Sequence, residues 1–558
     1  MTRYGIRITA RWTIVVDRVF SSSANFMKKP LIRSWGFPVL LWLLLALVFS
    51  LAYTQSHLYN DNQNTKFLHG LAQAGRGYLS EDWLANTVDP LPVFSFLIYV
   101  TALVNENLFY LYYALILGIY VFSIMGILSA IYKEKWTLNK QVVFFTLFLI
   151  IHARWSITRI EKLYNFNIEF LQNGVAGQYL LGIEFQNSVF GVFLLLSIFA
   201  FLKRRYYLAA FLVGLTALFH SAYLISGALI TIAYLFLMFW DNLQKGEILR
   251  QPTLRKIIQA ARQPFLVGLF TAILVLPVLW HNEVFLSGTS PQASQEALAI
   301  IVHQRIPHHA VPAVFWNSIA NIQLAIMIVG LILAYRSRRL FFIMLSLFTG
   351  GALLSLVQIL TDSDSLALMA PWRVSVLLVP LSVSLIAAFL ISGLIDLLHL
   401  NHPKFLMLFL PLALYVVFIN VGGGISLQDI YGSGRRERRL VQMMDYVKEN
   451  KQPGEIYLIP PTDNYFDDFR LYTGAPIFIN MKSHPYKDFE VLEWYNRILR
   501  ADQFYKSDGI EKCNQLMSLV EDYGITQVVF KSKEVPLDCD FAQETTRIEN
   551  FVIYTIHQ

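Results

Sequence analysis

Charged side chains are scarce in this sequence. Asp, Glu, Lys and Arg make up only 15% of its 558 residues, whereas soluble globular chains carry about 25%. So little charge excludes a set of domains that are each covered by water. Aromatic residues make up another 15%, which excludes a disordered chain. Only two cysteines, Cys513 and Cys539, are present, so a disulfide scaffold is excluded as well.

Long apolar runs indicate a polytopic membrane protein. Hydrophobic residues make up 55% of the chain, its mean hydropathy is +0.48, and a helix needs about 20 apolar residues to cross a bilayer. The uncharged run 206–240 is too long for one helix and has His220 and Ser221 in its middle, which predicts two helices joined by a turn. We predict eleven transmembrane helices, on segments 35–53, 108–131, 142–153, 188–202, 206–240 (two helices), 264–280, 316–335, 340–361, 374–395 and 405–422.

Basic residues predict the orientation of these helices, because Lys and Arg are enriched in cytoplasmic loops. If the spans alternate from a cytoplasmic N-terminus, the inside segments hold 22 Lys and Arg residues and the outer loops hold six. The net charge of +7 is therefore an orientation signal, and no nucleic-acid partner is expected. Segment 1–34 is predicted to be a basic amphipathic segment on the cytoplasmic side. A span at 91–104 would invert the orientation of every later segment, so this 14-residue segment is predicted to lie on the outer membrane interface instead.

The sequence predicts two folded regions. Residues 35–422 form the transmembrane domain, with a long first outer loop at 54–107, and glycines 422–424 are predicted to break the last helix. Residues 423–558 are predicted to form a small extracytoplasmic α/β domain. Its predicted strands are 455–459, 476–479, 525–530 and 551–556, and its predicted helices are 440–450, 489–500 and 510–522. Both cysteines lie in this domain, where a disulfide and two unpaired thiols are open alternatives.

The first outer loop carries acidic residues close to the membrane. Asp61 follows the first predicted span by a few residues, and amides flank it on both sides. A carboxylate there could act as a general base for an acceptor hydroxyl or bind a cation. The alternative is an Asx turn or a helix N-cap, which Asn and Asp favour. Glu81 and Asp82 are further carboxylates, although Ser80-Glu81-Asp82 is typical of a helix start.

A dense basic group occupies a later outer loop. His303, Arg305, His308 and His309 lie within seven residues, and this combination suits anionic oxygens such as those of phosphate. A metal site and a solvated loop with incidental histidines are the alternatives, although the spacing matches no standard zinc pattern.

Two further basic residues stand at the ends of predicted spans. His220 occupies the tip of a helical hairpin, where it is either functional or an interfacial cap. Arg373 stands at the start of a span, where it could hold a phosphate or extend to the headgroups. A third basic group follows the third span and consists of Arg154, Arg159 and Lys162. A carboxylate with several basic groups at one membrane face suits a transfer in which a lipid phosphate leaves.

This layout resembles the GT-C superfamily of integral-membrane glycosyltransferases. The resemblance rests on about eleven spans, a long first outer loop with an acidic residue just after the first helix, and an extracytoplasmic C-terminal domain. Asp61 matches the position of the family's first-loop catalytic acid. Segment 91–104 resembles the interfacial helix that often follows it, and 214–220 resembles a small-residue helix that ends in histidine in related bacterial membrane proteins. Asn60 and Asn62 stand where many members have an acidic pair, which argues against a metal-assisted variant. A divalent cation is kept as an open alternative, and no metal ligand is assigned.

The resemblance implies a glycosyltransferase of a bacterial plasma membrane that acts in envelope polysaccharide biosynthesis. It would move a hexosyl or pentosyl group from a polyprenyl-phosphate-linked donor to a glycan, lipid or protein acceptor on the outer face, in contact with membrane lipids. Asp61 would be the general base. The lipid phosphate would be bound by Arg305, His308, His309, His303, Arg373 and His220, and further substrate contacts would come from Arg154, Arg159, Lys162, Glu81 and Asp82.

Two other functions remain as alternatives. One is a transporter or flippase of lipid-linked sugars, and the other is a non-catalytic assembly partner for lipid-linked envelope glycans. The sequence shows no internal repeat of hydropathy or motif, which argues against transporters built from paired repeats.

Overall fold

A computed structural model describes residues 36–245, 253–434, 438–531 and 537–557. The predicted amphipathic segment 1–34 lies outside the described residues. The described chain is mostly helical, and its four-stranded sheet lies in the C-terminal region.

Ten helices lie between residues 36 and 245. They are α1 (Gly36–Tyr53), α2 (Gln63–Lys66), α3 (Leu68–Gln73), α4 (Pro92–Val104), α5 (Leu108–Tyr132), α6 (Leu138–His152), α7 (Arg154–Tyr164), α8 (Val192–Leu202), α9 (Tyr206–Phe219) and α10 (Leu224–Lys245). The turn predicted at His220 is confirmed, because α9 ends at Phe219 and a short 3₁₀ turn, Ser221–Tyr223, leads into α10.

Nine further helices lie between residues 253 and 434. They are α11 (Leu254–His281), α12 (Pro291–Ala299), α13 (Pro307–Ala310), α14 (Pro312–Phe315), α15 (Ser318–Ala334), α16 (Arg338–Thr361), α17 (Asp364–Leu368), α18 (Ser375–Leu397) and α19 (Pro403–Gly434). Two π-helical segments, Asn282–Leu286 and Ile300–Arg305, flank α12.

The apolar helices identify a helical protein that is embedded in a membrane. Each of the eleven predicted spans coincides with a helix, because uncharged apolar sequence satisfies its backbone hydrogen bonds internally. Among the described residues, six helices are long and apolar enough to cross a membrane, or seven if α6 and α7, which are bent by 67°, form one span. The other apolar helices are shorter, so the count of eleven spans stays a prediction.

Segment 91–104 forms a helix, as expected. Several of its large apolar side chains, including Phe96, Leu103 and Val104, are exposed. This apolar surface suits contact with lipid, and the interfacial position of α4 stays a prediction.

The glycines 422–424 do not break the last helix, which corrects the prediction made for them. α19 continues through all three residues. A Cβ atom added at Gly423 would overlap the ring of Trp155, and one added at Gly424 would overlap the backbone oxygen of Leu51. Gly423 and Gly424 therefore allow α19 to approach α7 and α1 closely, which is the usual role of small residues between membrane helices.

The C-terminal region combines helices with a small mixed sheet. Its elements are α20 (Arg438–Asn450), β1 (Tyr457–Leu458), α21 (Phe469–Thr473), α22 (Asp488–Lys506), α23 (Gly509–Tyr523), β2 (Gln527–Lys531), β3 (Ala542–Ile548) and β4 (Phe551–Ile556). The strand order is β1-β2-β4-β3, with β1 and β2 parallel and the other pairs antiparallel. Cys513 and Cys539 form a disulfide with Cα atoms 5.6 Å apart, which settles the alternative left open by the sequence.

The predicted elements of this domain are confirmed in part. The helices and the strands at 525–530 and 551–556 match α20, α22, α23, β2 and β4 within a few residues. The strand predicted at 455–459 shrinks to two residues, and 476–479 contributes only an isolated bridge between Ile477 and Tyr457. β3 was not predicted, because its sequence is polar and most of its residues are exposed at the sheet edge.

The C-terminal domain rests on the loop that follows α1. Arg470 Nε lies 3.0 Å from Asp82 Oδ2, and both side chains are buried. The backbone nitrogen of Ile477 donates to the same carboxylate at 3.0 Å, and that of Tyr78 donates to Gly474 O at 2.8 Å. These contacts hold the C-terminal domain against the loop after α1.

Candidate functional site

A cavity of about 1040 Å³, here called the main cavity, lies between the loop after α1, the turn between α9 and α10, the segment between α11 and α15, and the C-terminal domain. Six residues that the sequence predicts for the site line it: Asp61, His220, Arg305, His308, His309 and Arg373. Apolar side chains also line it, among them Leu224, Ile225, Leu298, Ile301, Phe315 and Met369. The main cavity therefore combines ionisable groups with apolar surface.

Asp61 lies in a tight turn of the first loop. Its φ of +44° is in the left-handed region, which non-glycine residues adopt at a cost in free energy. Its backbone oxygen accepts a hydrogen bond from Asn64 N at 3.2 Å. Its carboxylate forms an ion pair with Lys482 Nζ, and 43% of its side chain remains exposed. The turn thus presents the carboxylate to the cavity with room for a further partner.

Lys482 joins the acidic and basic parts of the site. While its ammonium group pairs with Asp61, its backbone oxygen accepts hydrogen bonds from Arg305 Nη2 at 2.7 Å and Thr65 Oγ1 at 3.2 Å. Lys482 and Asp61 are 421 positions apart in the chain. No local sequence pattern signals such a contact, and Lys482 was not predicted for the site.

Glu184 is a buried carboxyl group next to Asp61. Asn62 N donates to Glu184 Oε1 and Asn60 Nδ2 donates to Oε2, each at 3.1 Å. Burial, and then the negative charge of Asp61, raise the pKa of Glu184 well above its ordinary value. The site therefore holds one carboxyl group whose burial favours the protonated form beside one that is paired with a cation. Glu184 is the one charged residue between Glu169 and Lys203, a sequence signal that could have identified it.

Arg373 and His220 form a pair with a fixed arrangement of protons. Arg373 Nη1 lies 2.8 Å from His220 Nε2, and because a guanidinium only donates, Nε2 accepts. The proton of the neutral imidazole is then on Nδ1. Burial, and to a smaller extent the charge of Arg373, lower the pKa of His220 well below its ordinary value. His220 Nδ1 and Arg373 Nε are buried, and neither has a hydrogen-bond partner among the described residues. The pair thus has two N–H groups available for a ligand.

The two adjacent histidines supply polar groups rather than charge. His309 Nδ1 donates to Ala176 O at 2.6 Å, and burial lowers the pKa of His309 to about 4. Its Nε2 is therefore an acceptor at neutral pH. Burial and the charges of Arg305 and Lys482 also lower the pKa of His308, whose ring centroid lies 4.0 Å from that of His309. The positive charge of the site comes from its arginines and lysines.

Positively charged side chains surround Tyr486 in the main cavity. Lys66 Nζ donates to Tyr486 OH at 3.0 Å. Burial by itself would raise the pKa of this tyrosine, but the nearby charges of Lys66 and Arg305 lower it below its ordinary value. Arg305 Nε and His484 Nδ1 are also buried without a partner within the described ranges. An anionic ligand would complete this arrangement.

Several predicted site residues lie away from the main cavity. His303 is half-exposed and bonds Asp364 at 2.9 Å. Arg159 packs on the ring of Trp155 at 4.2 Å. The remaining residues of this kind are Arg154, Lys162, Glu81 and Asp82, none of which lines the main cavity. Arg154 instead pairs with Glu169 and lines a smaller cavity.

Glu81 and Asp82 face the C-terminal domain instead. Glu81 Oε2 accepts from Gly454 N at 2.8 Å. Asp82 pairs with Arg470 and accepts the backbone N–H groups of Leu84 and Ile477 at 3.0 Å. Their contacts hold the first loop and the C-terminal domain together.

The structure adds residues to the site that no motif predicted. They are Lys66, Tyr179, Glu184, Lys482, His484 and Tyr486. Asn62 Nδ2 donates to Tyr179 OH at 2.5 Å, which fixes the amide that follows Asp61. Within the described ranges, no group of three or more His, Cys, Asp or Glu side chains is arranged to hold a metal ion.

Comparison with known proteins assigns one segment of the chain. A family model described as a domain of unknown function (DUF6798) matches residues 438–501. The matched segment runs from α20 into α22 and contains Lys482, His484 and Tyr486, so part of the cavity lining belongs to it. No curated protein matches the chain.

Proposed function

We propose that the protein is a membrane glycosyltransferase of the GT-C type that moves a sugar from a polyprenyl-phosphate-linked donor to an acceptor hydroxyl at the outer membrane face. The observation that supports this proposal is the composition of the main cavity. One space brings the carboxylate of Asp61 together with Arg305 and Arg373 and with apolar surface. Such a combination fits a lipid phosphate whose departure is coupled to deprotonation of an acceptor.

The basic groups bind the phosphate of the donor in this proposal. Arg305 and Arg373 each have a buried Nε–H with no partner in the described part of the chain, and His220 adds an Nδ1–H. Phosphate oxygens accept such hydrogen bonds, and bonds to charged donors are about twice as strong as neutral ones. The apolar lining, for example Leu224 and Phe315, contacts the first isoprenoid units of the lipid.

Asp61 accepts the proton of the acceptor hydroxyl. As the acceptor oxygen forms a bond to the anomeric carbon, the bond between that carbon and the phosphate oxygen breaks. Its electron pair leaves with the phosphate, and the proton moves to Asp61. Lys482 stabilises the ionised carboxylate before the reaction, and Arg305 and Arg373 stabilise the departing phosphate. His303, Arg159 and Lys162 have no role in this scheme.

The test is transfer from a radiolabelled polyprenyl-phosphate sugar by purified protein in proteoliposomes. Asp61→Asn is expected to lower the rate by about 10²- to 10⁴-fold, the usual contribution of a general base. Glu81→Gln is the matched control, because it changes a carboxylate of the same loop outside the cavity, and it is expected to retain activity. Full activity of Asp61→Asn would refute the assignment of the base.

The same preparation separates the proposal from its alternatives. A glycosyltransferase releases free polyprenyl phosphate in proportion to the sugar transferred. Movement of intact donor across the bilayer without release would identify a flippase. A preparation that neither cleaves nor moves the donor with any acceptor supplied would favour a non-catalytic assembly partner.

A further inference from the structure

Asp61 lines two cavities, and the second has a different chemistry. The second cavity, here called the small cavity, has a volume of about 160 Å³ and shares Asp61 and Tyr179 with the main cavity. Its other polar lining includes Glu184, Glu169, Gln172 and Arg154. The small cavity therefore adjoins the predicted base without being part of the basic site.

One buried hydrogen-bond acceptor in the lining of the small cavity is left without a partner among the described residues. Gln172 is buried, and its Oε1 has no hydrogen-bond partner among the residues that the structure describes. Tyr53 OH already donates to Leu181 O at 2.9 Å. His152 has both ring nitrogens engaged, at 3.1 Å with Tyr120 OH and at 2.8 Å with a backbone oxygen. A ligand that donates hydrogen bonds would satisfy the unpaired oxygen.

The charges of the small cavity are balanced. Asp61 is paired with Lys482. Glu169 is paired with Arg154. Burial raises the pKa of Glu184 well above its ordinary value, which favours the uncharged form, and both of its oxygens already accept hydrogen bonds from Asn60 and Asn62. An ammonium group would meet no excess negative charge, and Arg154, the cation of this lining, is already paired with Glu169 and is not free for a phosphate. A neutral group with several hydroxyls fits both conditions.

We propose that the small cavity is a subsite for a neutral, hydroxyl-rich group, and that it holds the reacting end of the acceptor against Asp61. This role rests on the proposed function, in which Asp61 takes the proton of an acceptor hydroxyl. The acceptor substrate then lies on the side of Asp61 that faces the small cavity. The donor phosphate lies on the other side, among the arginines of the main cavity. Gln172 is a specificity-determining residue for the acceptor in this arrangement.

The test measures the two cavities separately in the full-length protein. The protein is placed in nanodiscs without sugar detergents, and binding of methyl glucoside, methyl galactoside and methyl mannoside is followed by saturation-transfer NMR. Binding of farnesyl phosphate is measured in parallel as the probe of the main cavity. Gln172→Met removes the unpaired oxygen at similar volume, Ile183→Phe fills the small cavity, and Arg373→Met alters the main cavity.

We expect the variants of each cavity to weaken binding of the ligand of that cavity only. Gln172→Met and Ile183→Phe weaken binding of the glycoside by about tenfold or more and leave farnesyl phosphate binding unchanged. Arg373→Met weakens farnesyl phosphate binding and leaves the glycoside unaffected. The inference is overturned if the native protein binds none of the glycosides, or if both small-cavity variants bind them as well as the native protein does. If the native protein binds glycoside, and the small-cavity variants weaken that binding, but farnesyl phosphate does not bind, then the proposed donor is contradicted and the subsite is still supported.

Discussion

The strongest stability prediction concerns the buried ion pair between the first loop and the C-terminal domain. Asp82→Asn removes the charge that Arg470 faces, while the volume at position 82 stays the same. Arg470 is 1% exposed and the side chain of Asp82 is fully buried, so water cannot replace the lost partner. The carboxylate also accepts the backbone N–H groups of Leu84 and Ile477, and an amide can accept fewer of these bonds.

The magnitude follows from the burial of the pair. Removing one partner of a buried ion pair costs about 3–5 kcal/mol, because the other charge is left uncompensated. The pair of Arg547 and Glu544 is the matched control, since its side chains are 49% and 39% exposed. Exposed pairs contribute about 0–1 kcal/mol, so Glu544→Gln should be nearly neutral. Replacing both buried partners, Asp82→Leu with Arg470→Met, removes the uncompensated charge but should recover only part of the loss, because the backbone N–H groups of Leu84 and Ile477 then lack their acceptor.

Urea unfolding of the C-terminal domain within the full-length chain provides the assay. The buried Trp494 lies in the hydrophobic core of this domain, and tryptophan fluorescence follows the transition. An Asp82→Asn protein whose midpoint matches that of Glu544→Gln would refute the reasoning. If that protein also lost donor binding without losing stability, Asp82 would be a substrate ligand, as the sequence analysis proposed.

Three further predictions concern stability. Burial raises the pKa of Asp467 to about 7, so the folded protein keeps a proton that the unfolded chain releases, and stability falls as the pH rises from about 4 to about 7. Asp467→Asn should remove this fall in stability. The prediction is contradicted if the melting temperature differs between about pH 5 and about pH 8 by the same amount in the native protein and in the variant. Replacing Cys513 and Cys539 by alanine opens a cross-link between residues 26 positions apart and should destabilise the domain by about 3.5 kcal/mol in chain entropy, measurable by urea unfolding. Gly424→Ala should lower the melting temperature because its Cβ overlaps the backbone of α1, whereas Gly422→Ala, which has open space, should not, and equal effects would refute the packing argument.

Much of the membrane fold could be predicted because its signal is local. An uncharged apolar run forms a helix whatever its neighbours are, so the predicted spans fall on helices. The glycines 422–424 were misinterpreted for a related reason. Glycine weakens helices in water, but between packed helices it permits close contact, and only the neighbours Trp155 and Leu51 reveal this role.

The site was predictable where a residue stood out by its position near a span or by its neighbours in the sequence. Asp61 and Arg373 stand beside predicted spans, Arg305 belongs to a dense basic group, and all three line the main cavity. Lys482 lies in a domain with many charged residues, so its contact with Asp61 depends on how that domain docks. His303 shows the reverse case, because it belongs to the same dense basic group but pairs with Asp364 and does not line the main cavity.

The place of Lys482 also has a thermodynamic consequence. Its ammonium and carbonyl groups connect the C-terminal domain to the loop of Asp61 and to Arg305, so the cavity is complete only when the domain is docked. Occupancy of the cavity and docking of the domain are therefore linked equilibria. A ligand that contacts both the C-terminal domain and the rest of the protein raises the equilibrium constant for docking of the domain. Docking in turn raises the affinity for that ligand by the same factor. The extent to which the domain resists protease in the presence of ligand thus becomes a measure of binding.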